Sequence, residues 1–137
     1  MPEIIRPVDY YHVRVHDRPG EGFWIYSQLR REGVRLLGAS GFPCRGGKAQ
    51  LSIVPENAKA FLAAAENCEC DLSGKKRAYL IQGEERLGAL ADVYGRLERV
   101  GISVVAAHAV SGGEGHWGMM LWVKPADYER AGKALGA

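Results

Sequence analysis

Asp17-Arg18-Pro19-Gly20 and, sixty-eight positions later, Glu85-Arg86-Leu87-Gly88 mark two matching breaks in the pattern of the chain. Each interrupts a run of alternating polar and apolar residues and opens a run with helical spacing. Proline fixes φ and glycine tolerates positive φ, so the chain turns sharply out of a strand into a helix. The same shift of sixty-eight superposes Tyr11 on Tyr79, Arg18 on Arg86, Gly20 on Gly88 and Tyr26 on Tyr94. It also superposes Leu29 on Leu97, Arg31 on Arg99, Gly33 on Gly101 and Ala39 on Ala107. Val13/Ile81, Asp17/Glu85, Ile25/Val93, Val34/Ile102 and Leu37/Val105 keep chemical type. Beyond the hairpin, made two residues longer in the second copy, the alignment pairs Leu51/Leu121, Ile53/Val123 and Pro55/Pro125. A sequence that repeats at this length encodes one supersecondary unit twice.

Each copy reads as strand, helix, strand, strand, helix. Tyr10 to His16 alternates Val13 and Val15 with polar neighbours, the period of a half-buried strand. Helical spacing follows from Gly22 to Glu32, and in the second copy Leu90, Val93, Leu97 and Val100 share a face. Gly33 and Gly101 are expected to close these helices. Strands are expected over Arg35 to Phe42 and Ser103 to Val110, with return strands over Lys48 to Val54 and His116 to Lys124. Pro55 and Pro125 then stand near the starts of second helices. Those helices present Ala58, Phe61, Leu62 and Ala65, then Tyr128, Ala131 and Leu135. Cys68 to Leu72 completes the first copy as a fourth strand, and Lys76 to Gln82 opens the second. The fold class is therefore α+β: two ferredoxin-like βαββαβ units in tandem, antiparallel sheets with helices on one face. The units are expected over residues 8–73 and 75–137, the second apparently missing its fourth strand. Glu3 to Arg6 or a partner chain is expected to fill that open edge.

Composition narrows the functions. At 137 residues, with 47% hydrophobic and 25% charged residues, the chain can build a core without disulfides or metal. Eighteen Lys and Arg against sixteen Asp and Glu leave +2, which gives no footprint of a dedicated nucleic-acid binder. No apolar run reaches the ~18 residues of a membrane span. Cys44, Cys68 and Cys70 are an odd number with no basic, apolar leader ahead of them, so free thiols in a reducing cytoplasm are expected.

Asp17-Arg18-Pro19-Gly20, a helix bearing Tyr26 and Leu29, and then Gly33-Val34-Arg35-Leu36 resemble the signature of the ACT domain. That family is a small regulatory module that binds amino acids and related metabolites. The second copy supplies Glu85-Arg86-Leu87-Gly88 and Gly101-Ile102-Ser103-Val104, and the resemblance spans residues 10–135. Leu87 replaces the usual proline, Gly22 the helix-anchoring leucine that is Leu90 in the second copy, and Arg35 and Ser103 the frequent asparagine. The resemblance implies a non-catalytic regulatory protein without a cofactor. Its amino-acid or small-carboxylate ligand would sit where the loop of one module meets the second strand of a neighbour. The implied ligand-binding residues are Asp17, Arg18, Pro19, Gly20, Arg35, Glu85, Arg86, Gly88 and Ser103. Arg35 would clasp a carboxylate and Asp17 or Glu85 an ammonium group, in a homodimer or with a regulated partner protein.

Other signals are weighed beside it. Gly41 to Lys48 is glycine-rich and basic, but Phe42 and Ala49 break the phosphate-loop pattern, and a hairpin turn is expected. Cys68-Glu69-Cys70 has too few companions for structural zinc. An enzyme on the same fold would need a catalytic group in an apolar pocket, with His12, His16 or His108 as first suspects. A pure assembly module is a further alternative. A single-strand RNA binder would need exposed aromatics on the central strands. The strand carrying Trp117, Met119, Leu121 and Trp122 reads as apolar on both sides, while Trp24 marks a contact surface.

Overall fold

The computed structural model describes residues 3–137 and divides the chain into two compact units. The first is Asp9–Lys76; the second is Arg77–Ala137 together with the described residues up to Val8. The elements are β1 (Ile4–His16), α1 (Glu21–Arg31), β2 (Leu36–Cys44), β3 (Lys48–Pro55), α2 (Ala58–Asn67), β4 (Asp71–Leu72), β5 (Lys76–Glu84), α3 (Ala89–Glu98), β6 (Val104–Gly113), β7 (His116–Val123) and α4 (Tyr128–Leu135). A short 3-10 turn at Pro125–Asp127 leads into α4.

In the first unit the strand order is β2-β3-β1-β4, with all three pairings antiparallel. In the second it is β6-β7-β5, and the neighbour of β5 on the remaining side is β1. The early residues of β1 thus stand where β4 stands in the first unit. Ile5 packs against the second unit's core, and Glu3 lies so close to Gly83 that a Cβ there would meet its Cγ at 3.0 Å. The early residues of β1 thus fill this edge, as expected of Glu3 to Arg6.

Helices cover one face of each sheet, and matched side chains build the two cores. Tyr11, Val13, Ile25, Leu29, Val34 and Ile53 in the first unit correspond to Tyr79, Ile81, Val93, Leu97, Ile102 and Leu121 in the second. Each fully buried aliphatic side chain of this kind contributes about 1.5–3 kcal/mol of transfer free energy. On β7, Trp117, Met119, Leu121 and Val123 face the helices while Met120 and Trp122 are buried on the opposite side, as the apolar pattern on both faces requires.

Several expectations need correction. The shift of sixty-eight continues through β3 and β7, since Tyr11 pairs with Ile53 and Tyr79 with Leu121. The second hairpin is therefore not longer, and Leu51/Leu121 and Pro55/Pro125 are coincidences of composition. The second helices correspond differently: Phe61, Ala64 and Ala65 occupy the places of Tyr128, Ala131 and Gly132. Phe61 stacks on Tyr11 at 5.2 Å between ring centroids, and Tyr128 on Tyr79 at 4.5 Å. Leu90 and Val100 are exposed, and it is Ala89, Val93 and Leu97 that α3 buries. β4 holds only two residues because Cys68 caps α2 and Glu69 takes a left-handed φ of 55°. Cys68 and Cys70 are joined as a disulfide, so among the described cysteines only Cys44 is a free thiol. The turn at Glu69 brings their Cα atoms to 5.5 Å, within bridging reach.

Candidate functional site

Both strand-to-helix elbows have one construction. Gly20 and Gly88 adopt left-handed φ values of 93° and 83° at the N-caps of α1 and α3, and no side chain caps either helix. Asp17 N donates to Gly47 O at 2.8 Å, and Glu85 N donates to Gly115 O at 2.7 Å. Each elbow is thereby tied to the tip of the hairpin in its own unit. Trp24 N and Asp92 N close the first helical turns onto Gly20 O and Gly88 O. An uncapped first turn presents N–H groups and the positive end of the helix dipole, which favours an anionic group.

The elbows differ in what their arginines do. Arg18 makes a single 3.3 Å contact from Nε to Glu21 and stays largely exposed. Arg86 is engaged twice, by Glu3 at 2.6 Å and by Asp92 at 2.7 Å. The Glu3 side chain is only 2% exposed. Burial alone would raise its pKa, but the hydrogen bond and charge of Arg86, with a smaller contribution from Arg96, hold it below the ordinary carboxylate value. Sequence reading placed Glu3 on the edge strand and missed this pairing; its only signal was an acidic residue at the start of a strand expected to lie beside β5.

Arg35 and Ser103 lie beyond the far ends of α1 and α3. Eleven residues of α1 separate Gly20 from that end, a distance of about 16 Å at 1.5 Å per residue. One unit therefore brings Asp17, Arg18, Pro19 and Gly20 together but not Arg35, and Glu85, Arg86 and Gly88 together but not Ser103. Arg35 is exposed on the rim of a shallow cavity of about 380 Å³ with Tyr26, Arg30, Gly33 and Leu36. Leu87, in the place of Pro19, is fully exposed.

The histidine suspects are distributed differently from an apolar catalytic pocket. His16 lies on exposed backbone near Lys48, and His108 stacks edge-on against Trp122. His12 borders a groove whose lining is mostly polar. Tyr10 and Trp122, on central strands, are buried and offer no stacking platform for bases. No group of His, Cys, Asp and Glu able to hold a metal occurs among the described residues. No helix there is long and apolar enough to cross a membrane.

Two comparisons find nothing: no family model matches the sequence, and no curated protein is significantly similar to it. Solved structures do match. Protein BT0572 from Bacteroides thetaiotaomicron superposes with a TM-score of 0.82 at 13% identity, over 96% of this chain and 88% of that one. The ligand-free regulatory subunit of aspartate kinase from Thermus thermophilus gives 0.66 at 11% identity, covering 99% and 95%. The same subunit from Thermus flavus gives 0.61 at 14%, again covering 99% and 95%. The fold is the tandem ACT fold. The resemblance carried by the two elbows thus reaches the whole architecture, although identities this low speak for the fold alone.

Proposed function

We propose that the chain is a non-catalytic regulatory protein that binds an amino acid or similar small carboxylate where ACT-type modules meet. The observation that carries this reading is the matched pair of elbows, each an uncapped helix start fixed to its own hairpin. Such a loop offers N–H donors to a carboxylate, and Asp17 or Glu85 beside it accepts an ammonium group. Because α1 holds Arg35 away from its own elbow, a neighbouring module has to supply the second half of the site. This supports a homodimer or a complex with a regulated partner. Occupancy then acts through differential affinity for the two assembly states.

A thermal-shift screen across the twenty amino acids tests the reading, since a ligand of the folded state raises the apparent Tm by mass action. One or two amino acids should raise it, and the rise should vanish in Arg35→Ala and in Gly20→Val. No added Cβ at Gly20 meets anything within 4 Å, so the valine acts on backbone conformation rather than through a clash. A screen in which no amino acid shifts Tm sinks the proposal.

Pure assembly has its own supporting observation. β6 ends its sheet, is ten residues long and is exposed along nearly all of it, with Val105 60% and Val110 71% accessible. Long apolar edges of this kind recruit a further strand. Sedimentation of Val110→Lys separates the readings: dissociation with an unchanged amino-acid shift favours assembly through this edge alone.

A further inference from the structure

The helix-free face of the first unit's sheet carries a groove that the elbows do not use. Tyr11 and Val13 of β1, Leu51 and Ile53 of β3 and Leu72 of β4 face the helices. Strand alternation therefore turns His12, Arg14, Gln50, Ser52 and Asp71 to the other side. There a cavity of about 510 Å³ opens, lined by the side chains of His12, Arg14, Gln50, Asp71, Ser73 and Lys76. That volume is in the range of small-molecule sites, roughly 300–1,000 Å³, but the lining suits a hydrophilic occupant.

One wall is built rigidly. Ser73 Oγ accepts from His12 N at 2.9 Å and donates to Gly74 O at 2.8 Å, while Ser73 N donates to His12 O. His12 Nδ1 and the buried Ser52 Oγ share a hydrogen bond of 2.9 Å. Burial, with Lys76 and Arg14 adding to it, lowers the His12 pKa below its ordinary value.

The charged groups around this wall are uncommitted. Arg14 and Asp71 are register partners on β1 and β4, yet among the described residues neither has an ion pair or side-chain hydrogen bond, and neither has Lys76 or Gln50. Two cations and one carboxylate therefore face one groove with their donors and acceptors free.

We propose that this groove binds a free α-amino acid, with Arg14 and Lys76 receiving its carboxylate and Asp71 its ammonium group. Two cationic donors match a carboxylate. A lone carboxylate beside them distinguishes a zwitterion from a simple anion, and Gln50 and Ser73 are placed for further hydrogen bonds. The inference stands on the groove alone, so it and the elbow reading can fail separately.

The test is titration of the full chain with each of the twenty standard amino acids, followed by His12 ring NMR signals and by calorimetry. At least one should give saturable shifts at His12. Its affinity should fall roughly tenfold or more in Arg14→Ala and in Asp71→Asn. Both residues are exposed, so an unchanged Tm verifies that each variant folds. Propionate and ethylamine, each carrying one of the two charges, should bind much more weakly. Inorganic phosphate is the counter-probe: binding as tight as the best amino acid, strengthened by Asp71→Asn, overturns the zwitterion in favour of an anion site. Binding that survives Arg14→Ala but is lost in Gly20→Val overturns the groove and leaves the elbow. No His12 shift with any amino acid overturns it as well.

Discussion

The two units carry the same frame and secure it differently. In the first, Tyr11 lies against Phe61, its sheet ends on β4 of its own chain segment, and Arg18 is left almost free. In the second, Tyr79 stacks on Tyr128 and also donates to Tyr128 O at 2.6 Å. Tyr128 Oη donates to Ala78 O, and Arg77 lies 4.1 Å over its ring. Its fourth strand comes from early in β1 and is held by Arg86 on Glu3. The unit whose edge strand is distant in sequence has more polar ties, and its elbow arginine is the one that is occupied. The two elbow arginines are equivalent in position; Arg86 is engaged twice and Arg18 is left available.

The comparison can be broken most severely by deleting residues 3–8. The second unit then loses its edge strand, and thermal unfolding followed by circular dichroism should separate into two transitions, with Asp9–Lys76 melting last. A single unchanged transition would mean that the early part of β1 does not secure the second unit. Next in size are Phe61→Ala and Tyr128→Ala, each expected to cost about 3–5 kcal/mol in urea unfolding. Gly132→Ala should cost about 1–3 kcal/mol, because a Cβ there collides with the buried Tyr79 hydroxyl. The corresponding Ala65→Gly should cost about 1–2 kcal/mol, through helix propensity and the loss of a buried methyl. Tyr79→Phe should lose about 1 kcal/mol and Tyr11→Phe much less, since only Tyr79 donates to a backbone carbonyl.

Acid sharpens the contrast. Glu3 is depressed in the folded state, so its contribution is complete above its ordinary pKa of 4.5 and is lost as pH falls through the folded value. His12 is depressed below 6.5, so the folded state binds fewer protons and stability begins to decline once pH drops under 6.5. Glu3→Gln should flatten only the lower limb of a stability–pH curve, and His12→Gln only the upper. The smallest effect is expected from Arg18→Ala, within about 0.5 kcal/mol because its ion pair is solvated.

Much of this frame was readable because strand and helix periods declare themselves locally. The two elbows, the glycine-closed helices and the doubly apolar β7 all follow from patterns a few residues long. The later alignment failed because Pro55 and Pro125 look alike while the aromatic that stacks on the tyrosine is Phe61 in one copy and Tyr128 in the other. Only the register with β1 and β5 reveals that correspondence. Sequence alternation places the first strand over Tyr10 to His16, whereas β1 begins at Ile4 and holds Pro7 in an edge segment that tolerates it. The groove was half visible: His12, Arg14, Gln50 and Ser52 are polar positions on otherwise apolar strands. That Asp71 and Lys76 would join them depends on the pairing of β4 with β1, which no short-range pattern encodes. The Cys68–Cys70 bridge depended on the left-handed turn at Glu69, a conformation that sequence seldom announces for glutamate.

The divided β1 also sets a schedule for synthesis. Ile4 to Val8 leave the ribosome well before the strand they must accompany, which ends at Glu84. At roughly 5–20 residues per second, Ile4 to Val8 wait on the order of 4–15 s for that partner. During that interval Asp9–Lys76 can already close upon itself, so the nascent chain carries a finished module with a loose sticky ribbon ahead of it. A chaperone, or a second nascent copy, has its best opportunity there.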